Sequence, residues 1–128
     1  MTQQSLNDYR DECFAIAEEH GFHERTMNLG ERLMLIVSEL GEALEADRVG
    51  KSVTWNSKNF PIDLQQDPDI FKGQYNQHIK GSLQEEIADA LIRLFDLAGI
   101  LNIDLDYHVR LKMQYNHYRP RLHGKSYG

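Results

Sequence analysis

The spacing of apolar residues constrains the fold of this chain more than any other feature. In two long stretches, residues 26–48 and 82–101, apolar side chains return every three or four positions, which is the period of one face of an α-helix. Ser82 followed by Glu85 has the spacing of a capping box and marks the start of the second stretch. No segment shows the sustained two-residue alternation of a half-buried strand. We therefore expect an all-α protein.

Two shorter stretches have the same period and end at residues that stop helices. The first, residues 5–20, is followed by Gly21, a residue that commonly ends helices. The last begins near Asp104, a suitable N-cap, and stops before Pro120. Together with the two long stretches, they predict four main helices.

The segment between the two long helices predicts one further element. Asp67 and Pro68 stand in the order of an N-cap and a first helical residue, so we expect a short helix over residues 67–80. With 128 residues, the chain has room for one hydrophobic core. We predict a single domain over residues 1–128. It should be a four-helix-type bundle with this short extra helix in the loop between the second and third main helices.

Composition excludes several classes of partner. The formal net charge of −6 argues against a nucleic-acid surface, which needs clustered Lys and Arg. The single cysteine, Cys13, excludes an internal disulfide and fits a reducing compartment. The longest apolar run, Leu33–Val37, is far too short to span a membrane, and no secretory signal is visible. We expect a cytoplasmic protein that binds neither nucleic acid nor membrane.

Two pairs of acidic residues lie within the most apolar helices. Glu39 and Glu42 are three residues apart, as are Glu86 and Asp89, so each pair projects from one helix face. An unpaired carboxylate in such a helix is costly to desolvate, and like charges one turn apart repel. Helical bundles hold metals with converging carboxylates, and magnesium prefers oxygen ligands. The pattern therefore predicts a divalent-cation site.

Two simpler explanations of these acids remain open. Acidic residues at this spacing also decorate ordinary solvated helix faces. Arg93 shares the polar strip of its helix with Glu86, Asp89 and Asp96, and it could neutralise one of them as an ion pair without any metal.

The last helix carries a set of residues suited to phosphate. Lys112, Asn116 and Arg119 recur at i, i+4 and i+7, so they share one face and offer a point charge, an amide and a planar fork. The alternative is a surface helix with scattered charge. Trp55 lies in the segment between the two long helices, where it could stack on a nucleobase or seal a core or a subunit interface.

Three ordered motifs give the chain a resemblance to a known family. They are Leu-Ile-Val-Ser-Glu-Leu-Gly-Glu-Ala-Leu at 35–44, Glu-Glu-Ile-Ala-Asp-Ala-Leu-Ile at 85–92, and Lys-Met-Gln-Tyr-Asn-His-Tyr-Arg-Pro at 112–120 with His-Gly-Lys at 123–125. Together they resemble the MazG-like nucleotide pyrophosphohydrolases, part of the all-α NTP pyrophosphatase group. Ser38 stands where the family pattern usually has its first glutamate.

The resemblance implies an activity and a set of site residues. The family hydrolyses nucleoside triphosphates between the α and β phosphates, giving a monophosphate and pyrophosphate. By resemblance, the catalytic residues and ligands of Mg²⁺, for which Mn²⁺ can substitute, are Glu39, Glu42, Glu86 and Asp89. As a hypothesis, Lys112, Asn116 and Arg119 steady the phosphates. We expect a house-cleaning enzyme for deoxynucleotides or non-canonical nucleotides.

Two alternative functions are open, and the apolar pattern also predicts an assembly. The same broad fold also serves phosphoribosyl-ATP pyrophosphohydrolases, and a helical oligomer could use its acids only for structure, regulation or ion pairing. The second and third main helices are apolar on nearly all sides, so we expect them to be buried. Because one short bundle cannot cover so much apolar surface, we also expect a homodimer or homotetramer.

Overall fold

A computed structural model describes residues 3–53 and 62–121, which form five helices and no strand. The helices are α1 (Leu6–Glu19), α2 (Leu29–Arg48), α3 (Pro68–His78), α4 (Leu83–Ile100) and α5 (Leu105–His117). The all-α class and the short extra helix, here α3, are confirmed. None of these five helices is long and apolar enough to cross a membrane.

Local capping explains where four of the helices begin. Ser5 and Asp8 form a complete capping box at α1, while Asp67 and Asp104 accept backbone hydrogen bonds at the starts of α3 and α5. The sequence predicts each of these starts. Helix α2 begins three residues later than expected, because the side chain of Asn28 accepts a hydrogen bond from the backbone N–H of Glu31 at 2.8 Å.

The contacts of the chain group into two compact units. One contains Met1–Arg25 and Phe95–Gly128, and the other contains Thr26–Leu94. The boundary falls within α4, so the first part of this helix belongs to the second unit and its last part to the first. That the whole chain folds as a single domain stays a prediction.

In the first unit, the N-termini of α1 and α5 cap each other. The carboxylate of Asp106 accepts hydrogen bonds from the backbone N–H groups of Leu6 and Asn7, at 3.0 and 3.2 Å. In return, Asn7 Oδ1 accepts one from the N–H of Leu105 at 2.8 Å. These bonds satisfy N–H groups that have no partner within their own helices, and they put a negative charge at the positive end of α1.

Helix α1 also lies very close to the last part of α4. A Cβ atom added at Gly99 would lie 2.9 Å from Cβ of Phe14, so only glycine allows this approach without displacement. Between the same two helices, the rings of Tyr9 and Phe95 stack on each other, with centroids 5.8 Å apart.

His23 lies in the segment after α1 and contacts two carboxylates, one on α1 and one on α4. Its Nδ1 faces Glu18, and its Nε2 lies 2.8 Å from Asp96 Oδ1, while only 12% of its side chain is exposed. Both ring nitrogens can donate only when the imidazole is protonated. Burial lowers the pKa of His23, but the hydrogen bonds and charges of Glu18 and Asp96 outweigh it, so the pKa lies above the ordinary value.

In the second unit, the chain leaving α2 is fastened to the start of α4. The carbonyl of Lys51 accepts a hydrogen bond from the N–H of Leu83 at 2.9 Å. The Gln84 side chain accepts from the N–H of Val53 and donates to its carbonyl, at 2.9 and 2.7 Å. These bonds fix α4 relative to the end of α2 and thereby position the acidic residues of both helices.

The expectation that α2 and α4 are buried on nearly all sides is wrong within one chain. The buried side of α2 consists of Ile36, Ala43, Ala46 and Glu39. Its larger apolar residues form a stripe that is 44–63% exposed, comprising Leu33, Val37, Leu40 and Leu44. Ile87, Leu91 and Leu94 of α4 are exposed to a similar extent. Within one chain, therefore, part of the apolar surface of both helices stays exposed.

We predict that His23→Gln makes the protein less stable at mildly acidic pH. A raised pKa means that the stabilisation by protonated His23 is complete below about pH 6.5 and is lost as the pH rises through the folded-state pKa. The difference in unfolding free energy between wild type and variant should be about 1–2 kcal/mol at pH 6 and smaller at pH 9. Urea unfolding at both pH values measures it. A difference that does not depend on pH would contradict the role of the imidazolium.

Candidate metal centre

Carboxylates from α2 and α4 converge in the second unit. Glu39, Glu42 and Glu86 each place one carboxylate oxygen so that these oxygens lie within 4.8 Å of one another. Glu39 is buried, Glu86 is half-buried and Glu42 is exposed. The cluster therefore reaches from the interior to the surface. Glu39, with 8% of its area exposed, does not belong to a solvated face.

A second group overlaps the first at Glu86. Glu85, Glu86 and Asp89 of α4 also bring one oxygen each within 4.8 Å of one another. The four predicted ligands thus lie in two groups that share Glu86. Both oxygens of Glu85 already accept hydrogen bonds, one from the hydroxyl of Tyr75 and one from the N–H of Gly81. Glu85 therefore serves the structure of the α3–α4 turn, and it is the less suitable ligand.

The half-formed capping box at α4 explains the position of Glu85. Ser82 Oγ accepts a hydrogen bond from the N–H of Glu85 at 3.1 Å, as the spacing predicts. The Glu85 carboxylate, however, reaches back to Gly81 at 2.7 Å rather than to Ser82. The tyrosine hydroxyl in this arrangement is a feature that the sequence analysis missed.

Glu86 is the most strained acid of the cluster. Its Oε2 is buried and has no hydrogen-bond partner within the described residues. Burial, a hydrogen bond to Glu42 and the charges of Glu42, Asp89 and Glu85 raise the pKa of Glu86 to about 7. This carboxyl group is therefore harder to ionise than that of an ordinary glutamate.

Asp89 is shifted in the same direction by a similar balance. Burial and the negative charges of Glu39 and Glu85 raise its pKa, while the positive charge of Arg93 partly offsets them. The acids of α2 and α4 therefore make each other harder to ionise.

Arg93 pairs with Glu39, an acid that was predicted as a metal ligand but not as the partner of this arginine. Its Nε donates a hydrogen bond to Glu39 Oε1 at 2.8 Å, across the two helices. The expected ion-pair partners were Glu86, Asp89 and Asp96. Asp96 instead contacts His23 in the first unit.

The donor set fits a hard divalent cation. Every candidate ligand atom is a carboxylate oxygen, which is what magnesium and manganese prefer. The unpartnered Oε2 of Glu86 also supplies an acceptor that no protein donor within the described residues satisfies. Glu39, Glu42, Glu86 and Asp89 are therefore the residues that would hold such an ion, although Asp89 groups with α4 acids alone.

Ser38 adds no ligand of this kind. Its side chain is exposed, and its Oγ donates a hydrogen bond to the carbonyl of Leu35 at 2.7 Å. A serine hydroxyl held by its own helix does not replace the carboxylate that the family pattern has at this position.

The predicted phosphate-binding residues belong to the first unit. Lys112 Nζ lies 5.0 Å and Arg119 Cζ 5.5 Å from the ring centroid of Tyr115, so both cations contact one aromatic ring. Asn116 Oδ1 is buried without a hydrogen-bond partner in the described part of the chain. Tyr115 was not among the predicted site residues. Trp55 and residues 123–125 lie outside the described residues.

The chain matches no known protein family, no curated protein and no solved structure.

We predict that Glu86→Gln stabilises the protein at alkaline pH in the presence of EDTA. The pKa of Glu86 is higher in the folded protein than in the unfolded chain. Its contribution therefore favours the folded state below about pH 4.5 and is lost as the pH rises through about 7. The neutral amide avoids this loss, so the variant should be more stable than wild type by about 1 kcal/mol at pH 8 and should differ less at pH 5.

Urea unfolding with chelator at both pH values tests this prediction. Glu45→Gln is the matched control, because Glu45 is an exposed acid of α2 paired with Arg48. A Glu86→Gln variant that is equally destabilised at both pH values would show that Glu86 is not under electrostatic strain.

Proposed function

We propose that this protein is a magnesium-dependent nucleoside triphosphate pyrophosphohydrolase that acts on a deoxynucleotide or non-canonical nucleotide. The observation that carries the proposal is the half-buried carboxylate of Glu86, one oxygen of which has no hydrogen-bond partner in the described part of the chain and which lies among the acids of α2 and α4. A bound cation would satisfy such an oxygen, and a cation held by carboxylates at the protein surface is suited to phosphate substrates. The resemblance of the three motifs adds the reaction.

The residues have distinct roles in this proposal. Glu39, Glu42, Glu86 and Asp89 hold the cation, and Glu42, which is exposed, is best placed to contact water and substrate. A bound divalent cation supplies neutralisation of phosphate charge and lowers the pKa of a coordinated water. With Ser38 in place of a glutamate, one of the four remaining carboxylates must orient the attacking water.

Substrate binding is assigned to the first unit. Lys112, Asn116 and Arg119 would steady the phosphates. Asn116 Oδ1, which is buried without a hydrogen-bond partner in the described residues, would also be available to a donor group of the substrate. We assign stacking on the base to Trp55. A cytoplasmic location fits the single free cysteine, Cys13.

One observation favours a non-catalytic alternative. Arg93 already neutralises Glu39 without a metal, as expected for a helical protein whose acids serve only ion pairing or regulation. Phosphoribosyl-ATP hydrolysis is the enzymatic alternative, and it is included in the assay below.

We predict that Glu42→Gln and Asp89→Asn each lower magnesium-dependent pyrophosphate release by about a hundredfold or more. Removing a ligand should cost at least as much as removing a residue that orients one. Release is measured on a panel of common, deoxy and modified triphosphates together with phosphoribosyl-ATP. Helix content, followed by circular dichroism, should stay unchanged because both side chains are at least partly exposed.

Glu45→Gln is the control and should retain wild-type turnover, since this exposed residue lies in the same helix outside the cluster. Turnover retained by Glu42→Gln and Asp89→Asn would refute the assigned ligands. No pyrophosphate from any substrate, with no magnesium-enhanced binding of a non-hydrolysable nucleotide, would favour the non-catalytic alternative.

We further propose that the protein is a homodimer or homotetramer. The exposed stripe on α2, formed by Leu33, Val37, Leu40 and Leu44, recurs at intervals of four and three residues and so lies along one side of the helix. A continuous apolar stripe of this kind marks an interaction surface more often than scattered apolar residues do. A second copy of the chain carries the same stripe and can cover it.

We predict that Leu40→Lys shifts the protein to monomer, because an ammonium group cannot be buried in an apolar interface without a partner. Sedimentation velocity measures the change. Asp47→Lys, at an exposed polar position of the same helix, should keep the wild-type oligomer. A wild-type chain that sediments as a monomer at micromolar concentration would contradict the assembly.

A further inference from the structure

We propose that Arg93 is the resident countercharge of the acidic centre: it holds Glu39 while no divalent cation is bound, and it competes with that cation for the site. This inference rests on the proposed metal-binding function and extends it to regulation. Arg93 acts through Glu39, so it is a positioning residue rather than a catalytic one.

The geometry of the pair suits an exchangeable contact. Arg93 Nε lies 2.8 Å from Glu39 Oε1, and the Glu39 side chain is only 11% exposed, whereas that of Arg93 is 38% exposed. The carboxylate is thus fixed in the interior while the guanidinium reaches toward solvent. When the contact breaks, the guanidinium can move into water. The free-energy cost of this step is much lower than that of leaving the charge unpaired in the protein interior.

Charge balance explains why a countercharge is needed here. Five carboxylates meet on neighbouring faces of α2 and α4, namely Glu39, Glu42, Glu85, Glu86 and Asp89. Arg93 bonds one of them and offsets the negative charge on Asp89. It does not satisfy Glu86 Oε2, which remains without a partner in the described residues. The arginine therefore relieves part of the repulsion and leaves the rest to a second positive charge.

A divalent cation among these acids would repel the guanidinium. The same carboxylates would then serve two positive charges, so each charge lowers the affinity of the site for the other. Wild-type protein should accordingly fold without metal, at the cost of weaker magnesium binding than the acids alone would give. An ordinary structural ion pair makes the opposite prediction: its loss leaves magnesium affinity unchanged or lowers it.

Calorimetric titration with magnesium chloride at fixed pH, without nucleotide, separates these possibilities. Arg93→Gln should bind magnesium about tenfold more tightly than wild type, a factor equivalent to about 1.4 kcal/mol. Its midpoint of urea unfolding should be lower than that of wild type in EDTA and should largely recover in saturating magnesium. Arg93→Lys keeps the charge and should bind magnesium with an affinity between the two.

The matched control is Arg48→Gln. Arg48 pairs with Glu45 on the exposed side of α2, with 71% of its side chain exposed, and its loss should change neither magnesium affinity nor the effect of magnesium on unfolding. If Arg93→Gln does not fold even in magnesium, the comparison of Arg93→Lys with wild type decides, and an unchanged or weaker affinity in Arg93→Lys overturns the proposal.

The results also distinguish this inference from the proposed function. If wild type binds magnesium and Arg93→Gln binds it no more tightly, Arg93 is a structural ion pair and only the present inference fails. If neither wild type nor Arg93→Gln binds magnesium, the metal-dependent function fails and this inference fails with it.

Discussion

Repulsion among the carboxylates of α2 and α4 is the constraint on which the second unit depends. Glu39 is buried, and Glu86 is half-buried with one oxygen that has no partner among the described residues, so water solvates neither charge fully. The hydrogen bond from Arg93 is one response of the protein, and the raised pKa of Glu86 is another. A bound cation would reduce the repulsion further, so the stability of this unit is linked to the function proposed for it.

The helices were predictable because their signals are local. Ser5, Asp67 and Asp104 cap helices through atoms only two or three residues away, so short sequence patterns suffice. Burial was not predictable in the same way. Periodicity gives the direction of each apolar side chain but not whether anything covers it. In the second unit, Ala43 and Ala90 are buried, whereas the larger Leu40 is 52% exposed.

The candidate site shows the same division between local and distant information. The spacing of Glu39, Glu42, Glu86 and Asp89 singled them out, and the structure brings three of them together and pairs the fourth with Glu86. The partner of Glu39, however, is 54 residues away in the chain, and no local pattern identifies it. The contact of Tyr75 with Glu85 likewise joins two different helices, whereas Lys112 and Tyr115 are three residues apart in α5 and their contact is local.

The mutual caps at the N-termini of α1 and α5 have a consequence for how this sequence can vary. Asn7 serves the backbone of Leu105, and Asp106 serves the backbone of Asn7, so each side chain completes the other's helix. A change at Asn7 leaves the N–H of Leu105 without this acceptor, and a change at Asp106 leaves the N–H groups of Leu6 and Asn7 without theirs. Because a backbone N–H is present whatever the side chain, each of the two positions needs a hydrogen-bond acceptor of its own, independently of the residue at the other.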